Sequence, residues 1–484
     1  MDRPNILLLI SDQHSKYHLG CYGDPLVRTP NLDRLAHSGM RFANTYCGSP
    51  VCVPSRMSFL TARTPSKNRV WDNNHLLHSG IPTFAHALGL AGYETALIGR
   101  MHFNGHDQRH GFETRPLGEY GAIHPGASRQ GAPLFQNISQ ATTGQSRIAV
   151  ESAGRGYASY HVFDETVADF TSNWLQEKAR TPSDRPFAAV TGFLLPHCPF
   201  VGHKELFDYY YDRVDIPEHT PNEPAAIRKF KQIRGLYPPL PEERIRVARA
   251  AYFAMCEFLD TQIGKILNTL LETGLDKNTL VIYCSDHGEM AGEHGCWWKS
   301  SYYEGSVGVP LIISQPGVVP QNTVSDLICN LIDIGPTLID MADGDPLPDA
   351  DGQSFWPLLT GGQASNHSNE TFSEHLGREG IPSCMIRTGP WKCYTYHDAT
   401  PPVLYNLQDD PGELHDLGTD ARHGAIRTAL LHRLYEHWDP NAVLQESAIL
   451  NRDMDVLTRW GRKIQPRLED TFPVPEGAEE LELL

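Results

Sequence analysis

Five short apolar runs, each followed within a few residues by a polar side chain, alternate with longer helical stretches along this chain. They are Asn5–Ile10, Thr95–Ile98, Phe187–Leu194, Thr279–Cys284 and Val309–Ile313. Their apolar character is nearly continuous, as in strands buried on both faces. Between them lie helical patterns over Asn31–Ser38, Thr83–Ala91, Glu165–Lys178 and Glu243–Thr273. The alternation predicts an α/β fold: a large, mostly parallel sheet sandwiched by helices. In such sheets ligands bind beyond the carboxyl ends of the strands, so the residue just past each run is a candidate for chemistry.

Past Gly361 the pattern changes. Ala364–Asn369 is small and polar, and short strand-like pieces follow at Thr371–Glu374, Ser383–Arg387, Lys392–Tyr396 and Val403–Asn406. These predict a small antiparallel sheet, with a helix around Ile426–His437. The expected organisation is an α/β domain over 1–365, a C-terminal α+β subdomain over 366–438, and a tail over 439–484. The tail ends in Glu476, Glu479, Glu480 and Glu482 and is expected to be disordered or a contact in a homo-oligomer.

Charge excludes some partners. The chain has 484 residues, with 41 Lys+Arg against 58 Asp+Glu and a formal charge of −17. A general nucleic-acid binder needs a basic surface, so neither nucleic acid nor an anionic membrane is an expected partner. The run Ile6–Ile10 is far shorter than the roughly 20 residues of a membrane helix, and it has no signal-peptide character. Ten scattered cysteines without CxxC spacing fit buried thiols in a reducing compartment. The expected location is the cytoplasm.

The segment Cys52-Val53-Pro54-Ser55-Arg56-Met57-Ser58-Phe59-Leu60-Thr61-Ala62-Arg63 has the form of a helix start. Pro54 suits a first turn and no breaker follows it. Cys52 then sits where backbone N–H groups and the helix dipole favour negative charge. A buried structural cysteine is the alternative.

Cys52-x-Pro-Ser-Arg-x-x-x-Leu-Thr-x-Arg resembles the signature of the formylglycine-dependent sulfatases, in the alkaline-phosphatase-like superfamily. Four fixed positions match by chance in roughly 0.3% of chains of this length at about 5% per residue. Leu60, Thr61 and Arg63 lower that further. The resemblance implies that a maturation enzyme oxidises Cys52 to formylglycine, whose hydrate is the nucleophile. A second hydroxyl on that hydrate lets the sulfated species collapse to aldehyde and sulfate. Ala62 stands where the family usually has Gly.

The family implies a metal ringed by Asp12, Gln13, Asp286, His287 and the modified Cys52. Asp12-Gln13 and Asp286-His287-Gly288 follow the first and fourth runs. Gln13 replaces a more common Asp, and His287 a more common Asn. The imidazole makes the set less oxygen-rich, so Ca²⁺ or Mn²⁺ is expected. This Gln/His pair is similar to the choline-sulfatase and phosphonate-monoester-hydrolase branches.

Further resemblances assign roles. Arg56, one helical turn from Cys52, is placed to hold the diol or its oxyanion. Gly99-Arg100-Met101-His102 resembles a Gly-Lys-x-His element, which makes His102 the base that triggers sulfate release. Arg100 replaces the usual Lys and keeps its charge but could hardly donate a proton. His197 and Lys299 match family residues near the leaving and transferred groups. Asn73 and His106 lie in segments similar to pocket-rim regions of the choline-sulfatase-like branch and are substrate-contact candidates. Thr29–Ala36, Asp351–Leu359 and Leu404–Leu407 extend the resemblance without chemistry. The implied activity is a sulfuric-ester hydrolase acting on small organic sulfates. A phosphonate monoester or phosphodiester hydrolase with the same site is the alternative, and a non-catalytic binding protein on this fold is a third.

Overall fold

The computed structural model describes residues 3–121, 124–126, 144–217, 223–377, 379–466, 471–472 and 480–484. Its centre is an eight-stranded sheet. Across the sheet the strands run Thr323–Asn330, Met40–Tyr46, Leu311–Ser314, Thr279–Ser285, Asn5–Ser11, Phe187–Gly192, Glu94–Gly99 and Thr114–Leu117. All pairings are parallel except those of Leu311–Ser314, which runs against both neighbours. The central strand explains the apolar runs: Leu7, Leu8, Leu9 and Ile10 have no exposed surface. A side chain of that size costs about 2–5 kcal/mol to truncate in a packed core.

Two sets of helices pack among themselves and flank the sheet. One comprises Pro30–His37, Ser159–Arg180 and Lys204–Tyr211 around the long helix Glu242–Glu272. The other comprises Cys52–Thr61, Phe84–Leu90 and Ile334–Met341. Register brings the strand ends level. Ser11 pairs with Ser285, Ile10 with Gly192, and Gly99 with Gly192. Asp12, Asp286 and Arg100 therefore leave the sheet along one rim.

The C-terminal region forms a separate antiparallel sheet of Glu370–Leu376, Pro382–Thr388, Trp391–Tyr396 and Val403–Asn406, in sequence order. Period-2 alternation gives it two apolar faces. Cys384, Ile386, Cys393 and Leu404 pack with Leu430 and Leu434 of the helix Gly424–His437. Met385, Tyr394, Val403 and Tyr405 join the main core. Across that junction Lys392 Nζ donates to Glu304 Oε1 at 2.9 Å, and Lys16 Nζ to Glu304 Oε2 at 2.7 Å.

Three features differ from expectation. The strands Met40–Tyr46 and Thr323–Asn330 were masked by Arg41, Asn44 and Asp326, which sit toward the end of the sheet where surfaces are half-buried. The tail contains a 25-residue helix, Pro440–Ile464. Asp439 caps it by accepting from Asn441 N at 2.9 Å, with Pro440 in the first turn. Glu480 and Glu482 lie in a strand, Glu480–Leu483, paired with Gly154–Tyr157. Glu476 and Glu479 lie outside the described residues. None of the ten cysteines is in a disulfide, and all but Cys21 are buried. Among the described residues no helix is long and apolar enough to cross a membrane.

Candidate active site

Cys52 opens the helix Cys52–Thr61, every residue of which is buried. Its Sγ lies 3.1 Å from His287 Nε2 and 3.8 Å from Asp12 Oδ1. Asp286 completes a buried quartet whose ligand-type atoms all fall within 4.8 Å of one another. The backbone donors of this helix start are used in a specific way. Val53 N–H donates to Asn73 Oδ1 at 2.9 Å, so Asn73 caps the turn that carries the sulfur.

Arg56 is fully buried and ties the two carboxylates together. Its Nε donates to Asp286 Oδ2 at 2.8 Å and its Nη2 to Asp12 Oδ2 at 3.3 Å. Its remaining contacts go to the carbonyls of Arg100 at 3.2 Å and Ser11 at 3.2 Å. The guanidinium is thus spent on the acids and the backbone.

Arg100 is similarly engaged. Nε donates to Asp12 Oδ2 at 2.7 Å, Nη1 to Glu119 Oε1 at 3.1 Å, and Nη2 to His102 Nδ1 at 2.8 Å. A guanidinium only donates, so His102 Nδ1 accepts and the neutral ring carries its proton on Nε2. His102 itself adopts a left-handed backbone, φ 61°.

The charges set the protonation states. Burial alone would raise the Asp12 carboxyl, but Arg100, His197, Arg56 and Lys299 together hold it well below the usual range. Burial lowers His287, helped by Lys299 and opposed by Asp286 and Asp12. His287 Nδ1 lies 3.0 Å from the carbonyl of Gly288. A carbonyl can only accept, so Nδ1 carries the proton and the Nε2 lone pair faces the quartet. That is the tautomer a metal-binding imidazole needs, and the ring is held in it by its outer hydrogen bond. Two buried carboxylates and one inward lone pair, with Asp12 Oδ1 and Asp286 Oδ1 3.7 and 3.5 Å from that nitrogen, fit a divalent cation.

Gln13 reaches the site by its backbone, donating to Asp286 Oδ1 at 3.1 Å from a left-handed φ of 71°. Its side chain bridges outward: Nε2 donates to Glu289 Oε2 at 2.5 Å, and Oε1 accepts from Lys299 Nζ. The amide oxygen keeps a second lone pair. Burial works against the Lys299 ammonium, yet the Cys52 and Asp12 groups facing it raise its pKa. His197 donates from Nδ1 to the Cys198 carbonyl at 2.5 Å; burial lowers its pKa, helped by Lys299 and opposed by Asp12 and a hydrogen bond with Cys52. His106 is exposed, its ring centroid 6.5 Å from that of Trp460 on the tail helix. It is not among the groups gathered around Cys52.

Three buried carboxylates support this array and were not anticipated. Glu119 carries the turn at Met101 and His102. Glu289 accepts from Gln13, from Ala291 N at 2.8 Å and from Trp298 N at 2.5 Å. Asp164 accepts from Leu194 N at 2.8 Å and Leu195 N at 2.9 Å, bracing the loop that bears His197; burial pushes it up to about 7. Asp164 was findable. It interrupts the inward stripe Tyr160, Phe163, Val167, Ala168 of its helix, where a carboxylate has no place without a partner. Glu119 follows no periodic pattern and left no such signal.

Comparison with known proteins agrees with this geometry. The sulfatase family profile matches residues 4–344, and the profile described as N-sulphoglucosamine sulphohydrolase, C-terminal, matches residues 292–439. A choline-sulfatase of Rhizobium meliloti is 34% identical over 463 residues, covering 91% of this chain and 88% of its own. An arylsulfatase K of Danio rerio is 29% identical, covering 86% and 81%. The phosphonate monoester hydrolase of Agrobacterium radiobacter shares the fold with a TM-score of 0.73 at 24% identity, over 93% of this chain and 96% of that one.

Proposed function

This chain belongs to the sulfatase family and is a sulfuric-ester hydrolase, and on that premise we propose that it cleaves small organic sulfate esters at Cys52. The observation that carries the assignment is the placement of Cys52 Sγ 3.1 Å from His287 Nε2, inside the quartet with Asp12 and Asp286. A formylglycine at position 52 and one divalent cation, Ca²⁺ or Mn²⁺, supply there a nucleophilic oxygen of lowered pKa. Asp12, Asp286 and His287 would hold the cation, and Gln13 Oε1, which also accepts from Lys299, would be a further donor through its second lone pair.

The remaining groups act by position and charge. Arg56 keeps the two carboxylates fixed as a pair. Lys299, held protonated, offers an ammonium to the oxygens of the transferred group. His197, its Nδ1 proton spent on a carbonyl, presents Nε2 to hold or pass a proton at the departing oxygen. His102, an N–H donor at Nε2, orients an oxygen at position 52 and reaches the base form only if Arg100 releases Nδ1. Asn73 acts on the helix start that carries residue 52.

Ten cysteines without a disulfide among them support a cytoplasmic location. Exposed Ile449, Val456, Leu457, Trp460 and Ile464 on the tail helix recur at helical spacing and support a homo-oligomer built from that face. Sedimentation would measure the oligomer.

Two measurements test the assignment. The peptide containing Cys52 should be lighter by about 18 Da when expressed with a formylglycine-generating enzyme. Values of kcat/KM for 4-nitrophenyl sulfate, a phosphonate monoester and a phosphate diester on one preparation then rank the substrates. A wholly unmodified thiol overturns the Cys52 assignment. A higher kcat/KM on the phosphorus esters moves the substrate class to the phosphonate or phosphodiester alternative.

A further inference from the structure

Glu119 is 2% exposed, yet its hydrogen bonds go to residues outside the quartet. Its carboxylate accepts from Arg100 Nη1 at 3.1 Å, Arg115 Nη2 at 3.2 Å, Met101 N at 3.1 Å and His102 N at 2.6 Å. A buried carboxylate with that many donors is a fixed point, because moving it would strand several polar groups at once. The two backbone bonds converge on one oxygen, Oε2, and hold the turn in which His102 takes its left-handed φ of 61°. Non-glycine residues adopt that conformation only where surroundings impose it. The bond to Arg100 sets the guanidinium plane, and that plane delivers Nε to Asp12 and Nη2 to His102.

The other side of Glu119 is tied to the end of the chain. Glu119–Tyr120 pairs in parallel with Thr471–Phe472. Phe472 is 8% exposed and packs edge-on to Phe163 at 5.0 Å and against Tyr120 at 6.5 Å. A segment some 350 residues distant in sequence thus pairs alongside the residue that organises Arg100 and His102.

We propose that Glu119 is a positioning residue for ester hydrolysis: it orients Arg100 so that His102 Nδ1 accepts a hydrogen bond, and the C-terminal strand at Phe472 holds Glu119 in place. This rests on the reading of the Cys52 site given above. Glu119 touches no reacting atom and acts through Arg100. Substrate binding should be nearly indifferent to it, while turnover should not.

The experiment uses the full chain, matured and metal-loaded, with 4-nitrophenyl sulfate. Turnover by wild type is the control: if wild type does not hydrolyse the ester, the functional reading fails, not this inference. Glu119→Gln and Phe472→Ala are each measured alone and combined with Arg100→Lys, alongside thermal midpoint and metal content. Glu119→Gln should lower kcat at least about tenfold with KM within about threefold. In the Arg100→Lys background it should cost less than about threefold more, because both substitutions break one linkage. Phe472→Ala should show the same split more weakly, and it decides the question should Glu119→Gln not fold. If Arg100→Lys alone is inactive, the split between kcat and KM decides. A folded variant with kcat within about threefold of wild type, an effect confined to KM, or losses that multiply with that of Arg100→Lys would overturn the proposal.

Discussion

Arg56 Nε donates to Asp286 Oδ2 at 2.8 Å in a position where neither side chain has any exposed surface. Nη2 of the same guanidinium reaches Asp12, so one residue of the Cys52 helix locks the acids from two separate strand ends. A single ammonium cannot reproduce that fork. Arg56→Lys should therefore destabilise the protein, on the scale of the about 3–5 kcal/mol for breaking a buried pair. Thermal unfolding with metal analysis would show a lower midpoint and lower metal content. An unchanged midpoint would place the two carboxylates under some other control.

Cys52 makes no hydrogen bond that the fold depends on, since its helix is held by Val51 and Asn73. Cys52→Ala should abolish turnover and leave the thermal midpoint close to that of wild type. Retained turnover would remove the sulfur position from the chemistry.

Asp286 Oδ1 receives N–H bonds from Gln13 and His287, and its Oδ2 receives Arg56. Asp286→Asn keeps the shape but removes one charge and sets an NH₂ group against donors. Metal content by elemental analysis should fall well below one ion per chain. Chelation of the wild type should abolish activity, with recovery on adding back the preferred ion. Full occupancy in the variant would exclude Asp286 as a ligand.

Arg100 serves Asp12, Glu119 and His102 with three different nitrogens. If only its charge mattered, lysine would serve. Because the contacts need a planar fork, Arg100→Lys should lower kcat by more than about tenfold, roughly 1.4 kcal/mol. Retention of kcat within that limit would reduce Arg100 to a point charge.

Glu374 gives a pH dependence of stability. Burial, reinforced by Asp351 and opposed by Ser66, pushes it up to about 7 from an ordinary 4.5. Ser66 N–H donates to it at 3.1 Å. The folded state binds this proton more tightly than the unfolded chain. Its stabilising contribution is full below about 4.5 and disappears as the pH rises through about 7. His437, whose Nε2 is 4.0 Å away, is lowered to about 4 by burial and stays neutral above that pH. Glu374→Gln, neutral at every pH, should gain thermal midpoint over wild type at pH 8 relative to pH 5. An equal difference at both values would show that Glu374 titrates normally.

Much of this was legible in the chain because it is local. Apolar runs such as Leu7–Ile10 require burial on both faces, which only a central strand in a covered sheet provides. The strand-end pairs Asp12-Gln13 and Asp286-His287 follow from that architecture, and the Cys52 segment is legible because it carries the family's pattern. The edge of the sheet was less legible: half-buried strands such as Met40–Tyr46 mix polar and apolar residues, so periodicity weakens there. The tail helix Pro440–Ile464 carries its own N-cap signal at Asp439-Pro440, which an acidic terminus obscured.

Residue type and spacing by themselves determined the sheet, because strand burial depends on near neighbours, and the resemblance of the Cys52 segment to the sulfatase signature implied the nucleophile position and the chemical class. Only the tertiary structure decided where the hydrogen bonds of each cation go. Arg56 turned out to hold two acids, Arg100 to be shared among Asp12, Glu119 and His102, and Asn73 to cap the Cys52 helix. Those assignments arise from register and from chain segments hundreds of residues apart converging on one rim, and direction in space is a property no single stretch of sequence contains.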